Sequence, residues 1–124
     1  MLLEDEILDV LILARKLPCK DDAKNYERIG HVLNHGHLVV LKVDGEIKGF
    51  AECYRMKEIP SFPVMPLPKD DPEGKILYCW AASCFPRFIR QLIELGKRTF
   101  PTLEVIAWHT HRRKNTLHLE RIGD

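Results

Sequence analysis

Two arginines stand where a helix should begin. Ser83, Cys84 and Phe85 lead into Pro86, a natural first residue of a helix, so Arg87 and Arg90 fall in or near its first turn. Cations there oppose the helix dipole, by about 0.3–1 kcal/mol each. An anion bound at the helix start would remove the conflict, because free backbone N–H groups point towards it. Residues 83–85 with Arg87 and Arg90 are therefore a candidate phosphate site. The plain alternative is a solvated polar face shared with Gln91, Glu94, Lys97 and Arg98. A second candidate lies upstream. Asp44-Gly45 suits a two-residue type I′ turn. The register set by such a turn puts His37 opposite Glu52, where an imidazole and a carboxylate could share a proton. The same two residues also read as a solvated cross-strand ion pair.

The other chemistry-bearing residues point less sharply. The six histidines fall into two groups, His31, His35 and His37, then His109, His111 and His118. His-x-His on a strand places both rings on one face, which can begin a zinc site. No cysteine or carboxylate stands at a ligand spacing from them, so no metal is expected. The four cysteines, Cys19, Cys53, Cys79 and Cys84, form no C-x-x-C pair and read as small buried hydrophobes. Residues 109–114 (HTHRRK) are the one concentrated basic patch. Single-strand nucleic-acid binders add aromatic platforms to such a patch. Only Trp108 is near, so a nucleic-acid partner is not expected and a solvated turn explains the run.

These residues need elements to position them. Residues 75–82 (KILYCWAA) are a continuous apolar run, residues 86–100 carry apolar side chains at helix spacing, and residues 102–108 are a second buried run. A strand, helix and strand in sequence predict a parallel pair joined by a crossover. Residues 115–122 carry Leu119 and Ile122 on an expected short final helix. At the start, Leu3, Ile7, Val10, Leu11, Ala14 and Leu17 predict a helix that Pro18 ends. A second helix starts at an Asp21 or Asp22 cap and runs to about Asn34, with Tyr26, Ile29 and Leu33 as its apolar stripe. Residues 37–43 and 46–54 predict a hairpin apolar on both faces, as in a sheet covered by helices on each side. Gly49 marks a bulge or a close approach. Residues 57–74 hold Pro60, Pro63, Pro66, Pro68 and Pro72, which exclude a helix or a central strand. That stretch reads either as an extended connector across one edge of the sheet or as a lid over a binding site.

The whole chain sets bounds. At 124 residues, 45% hydrophobic and 30% charged, it is long enough for one domain with its own core. A formal net charge of +1 argues against a surface given over to polyanions. No apolar run approaches the roughly 20 residues needed to span a bilayer. No basic, apolar leader pattern opens the sequence. A reduced, cytoplasmic location is the expectation.

The order of elements, with three short stretches, resembles the GCN5-related N-acetyltransferase superfamily. The stretches are DGEIKGFAE at the hairpin, KILYCWAAS before a helix, and LERIGD near the end. The resemblance spans about residues 5–123. It implies a GNAT-like α/β fold, a central mixed sheet of about four strands flanked by helices, in the order ααββ-loop-βαβα, over a single domain of residues 1–124. It implies acyl transfer from acetyl-coenzyme A, or another acyl-coenzyme A, to an amine. The pantetheine arm would lie against the backbone of Trp80, Ala81 and Ala82, with the pyrophosphate near Ser83, Arg87 and Arg90. It also allows Asn115 a coenzyme contact, and the basic patch a contact with the 3′-phosphate. Glu52, assisted by His37, is the candidate general base, and His118 a candidate acid beside the position of the family's tyrosine, which falls at Leu119. The sequence departs from the family pattern at residues 83–88, which carry no glycine. The family's first strand and last two strands are not found in it. Residues 78–101 are also loosely similar to the toxin-activating lysine acyltransferases, with Cys79 at the position of their catalytic aspartate. The alternative reading is a GNAT-like binding or assembly module without catalysis, pairing with a copy or another chain through an exposed sheet edge.

Overall fold

The computed structural model describes residues 4–15, 21–61, 66–110 and 115–123. The elements are α1 (Glu4–Ala14), α2 (Asp22–His35), β1 (His37–Val43), β2 (Glu46–Met56), β3 (Ile76–Cys84), α3 (Ile89–Thr99), β4 (Val105–Thr110) and β5 (Thr116–Arg121). The five strands form one sheet in sequence order, β1-β2-β3-β4-β5. Only β3 and β4 run parallel, with α3 as their crossover. Helices α1 and α2 cover one face of the sheet over a core of Val10, Leu13, Ile29 and Phe50. Helix α3 covers the other, over Val39, Cys53, Leu77, Leu92 and Ile106.

The local chemistry explains most boundaries. Asp21 caps α2, its carboxylate accepting from the N–H groups of Ala23 and Lys24. Gly36 ends the helix, and a Cβ there would lie 2.6 Å from the Tyr54 ring. Only glycine lets α2 turn into β1 so close to β2. Asp44 and Gly45 both take positive φ, 53° and 81°, as a type I′ turn requires.

Three expectations need correction. Residues 115–122 are not a helix: Thr116–Arg121 is a strand antiparallel to β4, so the order is ααββ-loop-βαββ with five strands. His118 and Glu120 face α3, whereas Leu117 and Leu119 face the other side and stay exposed. That is a period of two. The buried stripe of α2 is Asn25, Ile29 and Val32, with Tyr26 and Leu33 exposed. The hairpin register also slips. Val43 pairs with Glu46 and Lys42 with Ile47, but Leu41 pairs with Gly49, so Lys48 is bulged out. His37 therefore lies opposite Cys53, not Glu52. One residue of slip reverses the face.

The described part of the proline-rich loop is pinned at Asp70. Its carboxylate accepts from the Arg55 backbone at 2.7 Å and from the Arg55 guanidinium, and its own N–H donates to the His35 carbonyl at 2.7 Å. His31 Nε2 sits 2.6 Å from the Pro68 carbonyl. The segment thus straps the ends of α2, β1 and β2, as a connector does.

Candidate active site

Strands β3 and β4 pair over four residues only, Ile76–Cys79 against Val105–Trp108. Beyond them β3 continues to Cys84 and β4 to Thr110 without a ladder between them. The cause is visible in β3. Cys79 pairs with Cys53 and Ala81 with Glu52, so Trp80 is an extra residue. The bulge bends β3 away from β4. The gap opens under α3 as a cleft of about 360 Å³, walled by Cys79, Ala82 and Cys84 of β3, Trp108 and Thr110 of β4, and Ile89 and Ile93 of α3. That volume lies within the range of small-molecule sites, roughly 300–1,000 Å³.

The expected coenzyme residues divide around this cleft. Trp80, Ala81 and Ala82 lie at the bulge, where β3 has no ladder partner on its β4 side. The Trp80 side chain points to the opposite face, edge-on to Tyr54 and Tyr78 with ring centroids 6.3 Å apart in both cases. The Ser83 hydroxyl donates to the Leu13 carbonyl at 2.8 Å, tying β3 to α1 rather than facing an anion. Pro86–Phe88 is a short 3-10 turn leading into α3, and no side chain caps either start. Arg87 is exposed and lies over the Phe88 ring at 5.1 Å. Arg90 makes a bidentate pair with Glu120 at 2.7 Å and reaches Glu94 at 3.2 Å. It clamps α3 to β5. Asn115 is exposed immediately before β5, with no final helix to cap. Phe85 packs on the α1/α2 side, so it does not fill the cleft. The basic residues Arg112, Arg113 and Lys114, with His111, lie outside the described residues, as does Cys19.

The three expected catalytic residues do not converge. Glu52 is fully buried on the α1/α2 face, directly across from Ala81. Arg28 Nε donates to its Oε1 at 2.7 Å, and Arg28 is held in turn by Asn25 at 2.7 Å. Burial pushes the Glu52 carboxyl above its ordinary range, against the opposing pull of Arg28. Among the described residues, Glu52 Oε2, Arg28 Nη2 and the Tyr54 hydroxyl have no hydrogen-bond partner. His37 lies on the α3 side, 3.2 Å from Asp70 and edge-on to Phe100. Burial would raise the Asp70 carboxyl, but hydrogen bonds from Arg55 and His37 outweigh it and hold it below the usual range. His118 stacks on Trp108, with rings 5.3 Å apart, and lies 3.2 Å from the Thr110 hydroxyl beside the cleft.

Asn25, Arg28 and Tyr78, which the sequence did not single out, complete the α1/α2 side with His109. Arg28 holds Glu52, and Asn25 accepts from Arg28. The Tyr78 hydroxyl and His109 Nδ1 lie 2.6 Å apart, and burial first, then Cys79, pushes the Tyr78 phenol up to about 12. The signal for Asn25 was its place three and four residues from Arg28 and Ile29 and seven from Val32, a helix face that reads as polar until its partner is known. Among the described residues, no group of three or more His, Cys, Asp or Glu side chains is placed to hold a metal.

No protein-family model matches the sequence, and no curated protein matches it. Among solved structures, the chain is similar to an aminoglycoside antibiotic 6′-N-acetyltransferase from Acinetobacter haemolyticus, in its apo form, with a TM-score of 0.56 and 15% identity. The match covers 90% of this chain and 78% of that one. The likeness shows that the chain shares the α/β fold of that N-acetyltransferase, the fold class that the resemblance in the sequence implies.

Proposed function

We propose that the protein is an N-acyltransferase that moves an acyl group from acyl-coenzyme A to an amine. The observation that carries this reading is the parting of β3 and β4 at the Trp80 bulge, which leaves a cleft beside the start of α3. Its walls are largely apolar, as an acyl-pantetheine arm needs, and Trp80, Ala81 and Ala82 offer unpaired strand edge along it. Arg87 is the cation left to meet a phosphate at the helix start. Glu52 is the candidate base for the amine proton. It is enclosed on the α1/α2 face across from Ala81, so an amine would have to meet it through the gap between β3 and β4 and not from the cleft under α3. Its raised pKa suits that task. His118, at the cleft beside Trp108, is placed to return a proton to the leaving thiolate. The fold neighbour is an N-acetyltransferase, which agrees with this class of reaction. The reading places the protein in the cytoplasm, where thiols such as Cys53, Cys79 and Cys84 stay free.

A second reading, a binding or assembly module without turnover, is favoured by one observation. Ser83 and Arg90, two of the expected phosphate ligands, are engaged by Leu13 and Glu120. Such a module would use the outer edges of β1 and β5, the end strands of the sheet among the described residues. Thermal denaturation with acetyl-coenzyme A separates these readings. The acyltransferase should show a saturable rise in Tm below millimolar ligand. Mass spectrometry should then find acetylated product with a panel of primary amines. A rise without product supports the module. No rise at millimolar ligand removes coenzyme binding altogether.

A further inference from the structure

Three of the four cysteines, Cys53, Cys79 and Cys84, are free and line the cleft. Two of them are more than neighbours. Cys53 of β2 and Cys79 of β3 stand directly opposite each other in the antiparallel ladder, at the edge of the Trp80 bulge. Directly opposed residues have Cα atoms about 4.5–5.5 Å apart. A disulfide accepts Cα separations of about 4.4–6.8 Å. Both side chains belong to the core on the α3 face and line the same cleft. The register and the shared face thus give the pair the backbone separation that a disulfide needs. Their exposure differs usefully. Cys53 is 1% exposed, whereas Cys79 is only half-buried and forms part of the cleft wall. The Cys79 thiol points along the strand, 3.5 Å from the Ala81 carbonyl, inside the space that a small molecule would enter. Cys84 is also in the cleft, but its thiol turns to the Phe85 carbonyl at 3.4 Å, and Gly49 stands opposite it with no sulfur to answer.

We propose that Cys53 and Cys79 form a thiol–disulfide exchange site in the cleft wall, with a low-molecular-weight disulfide as the co-reactant. The Cys79 thiolate attacks one sulfur of the small disulfide. A mixed disulfide forms on Cys79, and one small thiolate leaves. The Cys53 thiolate then attacks the Cys79 sulfur, the Cys53–Cys79 bond forms, and the second small thiolate leaves. The two protein thiols are oxidised, the small disulfide is reduced to two thiols, and the two protons go to the leaving thiolates. The order of the steps follows from the surroundings. Cys53 holds its proton far more tightly than an ordinary thiol, first because the Cys79 thiol stands opposite it and then because of burial. Once Cys79 carries the mixed disulfide, it has no negative charge to oppose ionisation of Cys53. Attack by the first thiol therefore releases the second. In a reducing compartment such a bond is transient, as redox-sensing disulfides are. The site does not depend on the cleft accepting a thioester.

The test uses the whole chain with oxidised glutathione, quenched in acid, then intact mass and peptide mapping without reduction. The wild type should lose two hydrogens, retain no glutathione, and yield one cross-linked peptide pair joining Cys53 to Cys79. Cys53→Ser should instead trap one glutathione on Cys79. Cys53→Ala serves where the serine variant does not fold. Cys84→Ser should cross-link as the wild type does. Glutathione retained on wild-type Cys79, or modification of Cys84 or Cys19 with Cys53 and Cys79 still alkylatable, would overturn the proposal.

Discussion

Glu52 is an ionisable group that the sequence places on a strand and the fold encloses completely. Its partner Arg28 is itself only 13% exposed. Removing one member of such a pair leaves the other as an uncompensated charge, which costs about 3 kcal/mol. Glu52→Ala should therefore lower the urea midpoint strongly, and Glu52→Gln, which keeps shape and one acceptor, less so. If Glu52 is the base, Glu52→Gln should also reduce turnover by about 10²–10⁴-fold at a nearly constant KM, read by steady-state kinetics. The pH dependence has a definite sign. A carboxyl whose folded pKa is raised binds its proton more readily in the native state. Its contribution favours folding below the ordinary value of 4.5 and is lost as pH rises through the folded value. Urea titrations above pH 4.5 should show that decline in the wild type and a flatter profile in Glu52→Gln. Much at this scale was not legible in the sequence. Nothing local in the sequence marks Asn25 or Arg28, because Arg28 finds its carboxylate 24 positions later, on another element, and Asn25 acts through Arg28. Counting from the Asp44-Gly45 turn alone sets His37 against Glu52. The count failed because Lys48 is bulged out, and only the adjacent Gly49 hinted at it.

The element that departs most from expectation is β5. Leu119 and Ile122 are spaced as on a helix, but Leu117 and Leu119 share one face of a strand and His118 and Glu120 the other. Six residues are too few for periodicity to decide between the two. Pairing with β4 decided it. The strand has a consequence for α3, because Glu120 collects Arg90 at 2.7 Å and Lys97 at 2.8 Å on the helix face above it. Those hydrogen bonds, Arg90 first and Lys97 next, draw the Glu120 carboxyl from its ordinary 4.5 down to about 2. A depressed folded pKa stabilises the native state above the unfolded value, and that support is lost as pH falls from 4.5 towards 2. Acid titration followed by circular dichroism should show the loss, and Glu120→Gln should remove this part of the slope. The same clamp separates the two arginines that the sequence treated alike. Arg90 is held by β5, and Arg87 is exposed at the helix start. Arg87→Ala should weaken acetyl-coenzyme A binding about tenfold, the loss of one charge-assisted contact of about 1.4 kcal/mol. Arg90→Ala should leave affinity within about twofold and shift the acid transition instead. Calorimetric titration of both variants checks the split.

In the molecule as a whole, every strand lies beside its sequence neighbours, so the architecture follows closely from the order of elements. The turn at Asp44-Gly45, the apolar runs of β3 and β4 and the helix between them were sufficient to predict a mixed sheet covered on both faces. The cleft needed more than order. That β3 and β4 separate at Trp80 depends on one extra residue in a ladder, and composition carries no mark of it. The cleft also tests what the fold has been kept for. A hole of about 360 Å³ beside a core of Leu77, Leu92 and Ile106 forgoes packing that the chain could otherwise make. Filling it should stabilise the protein unless the space is needed. Ala82 lines it from β3, and Ala82→Leu places apolar atoms into it without disturbing a buried polar group. Cavity-filling changes of this kind raise stability by about 0.5–2 kcal/mol, often at the expense of function. Ala82→Leu should therefore raise the Tm in the absence of ligand and abolish any further rise with acetyl-coenzyme A. A variant that gains stability and still responds to the ligand would move the coenzyme site elsewhere. A variant that loses stability would show that the walls around Ala82 are already closed, and the split strands would then be a feature of the scaffold alone.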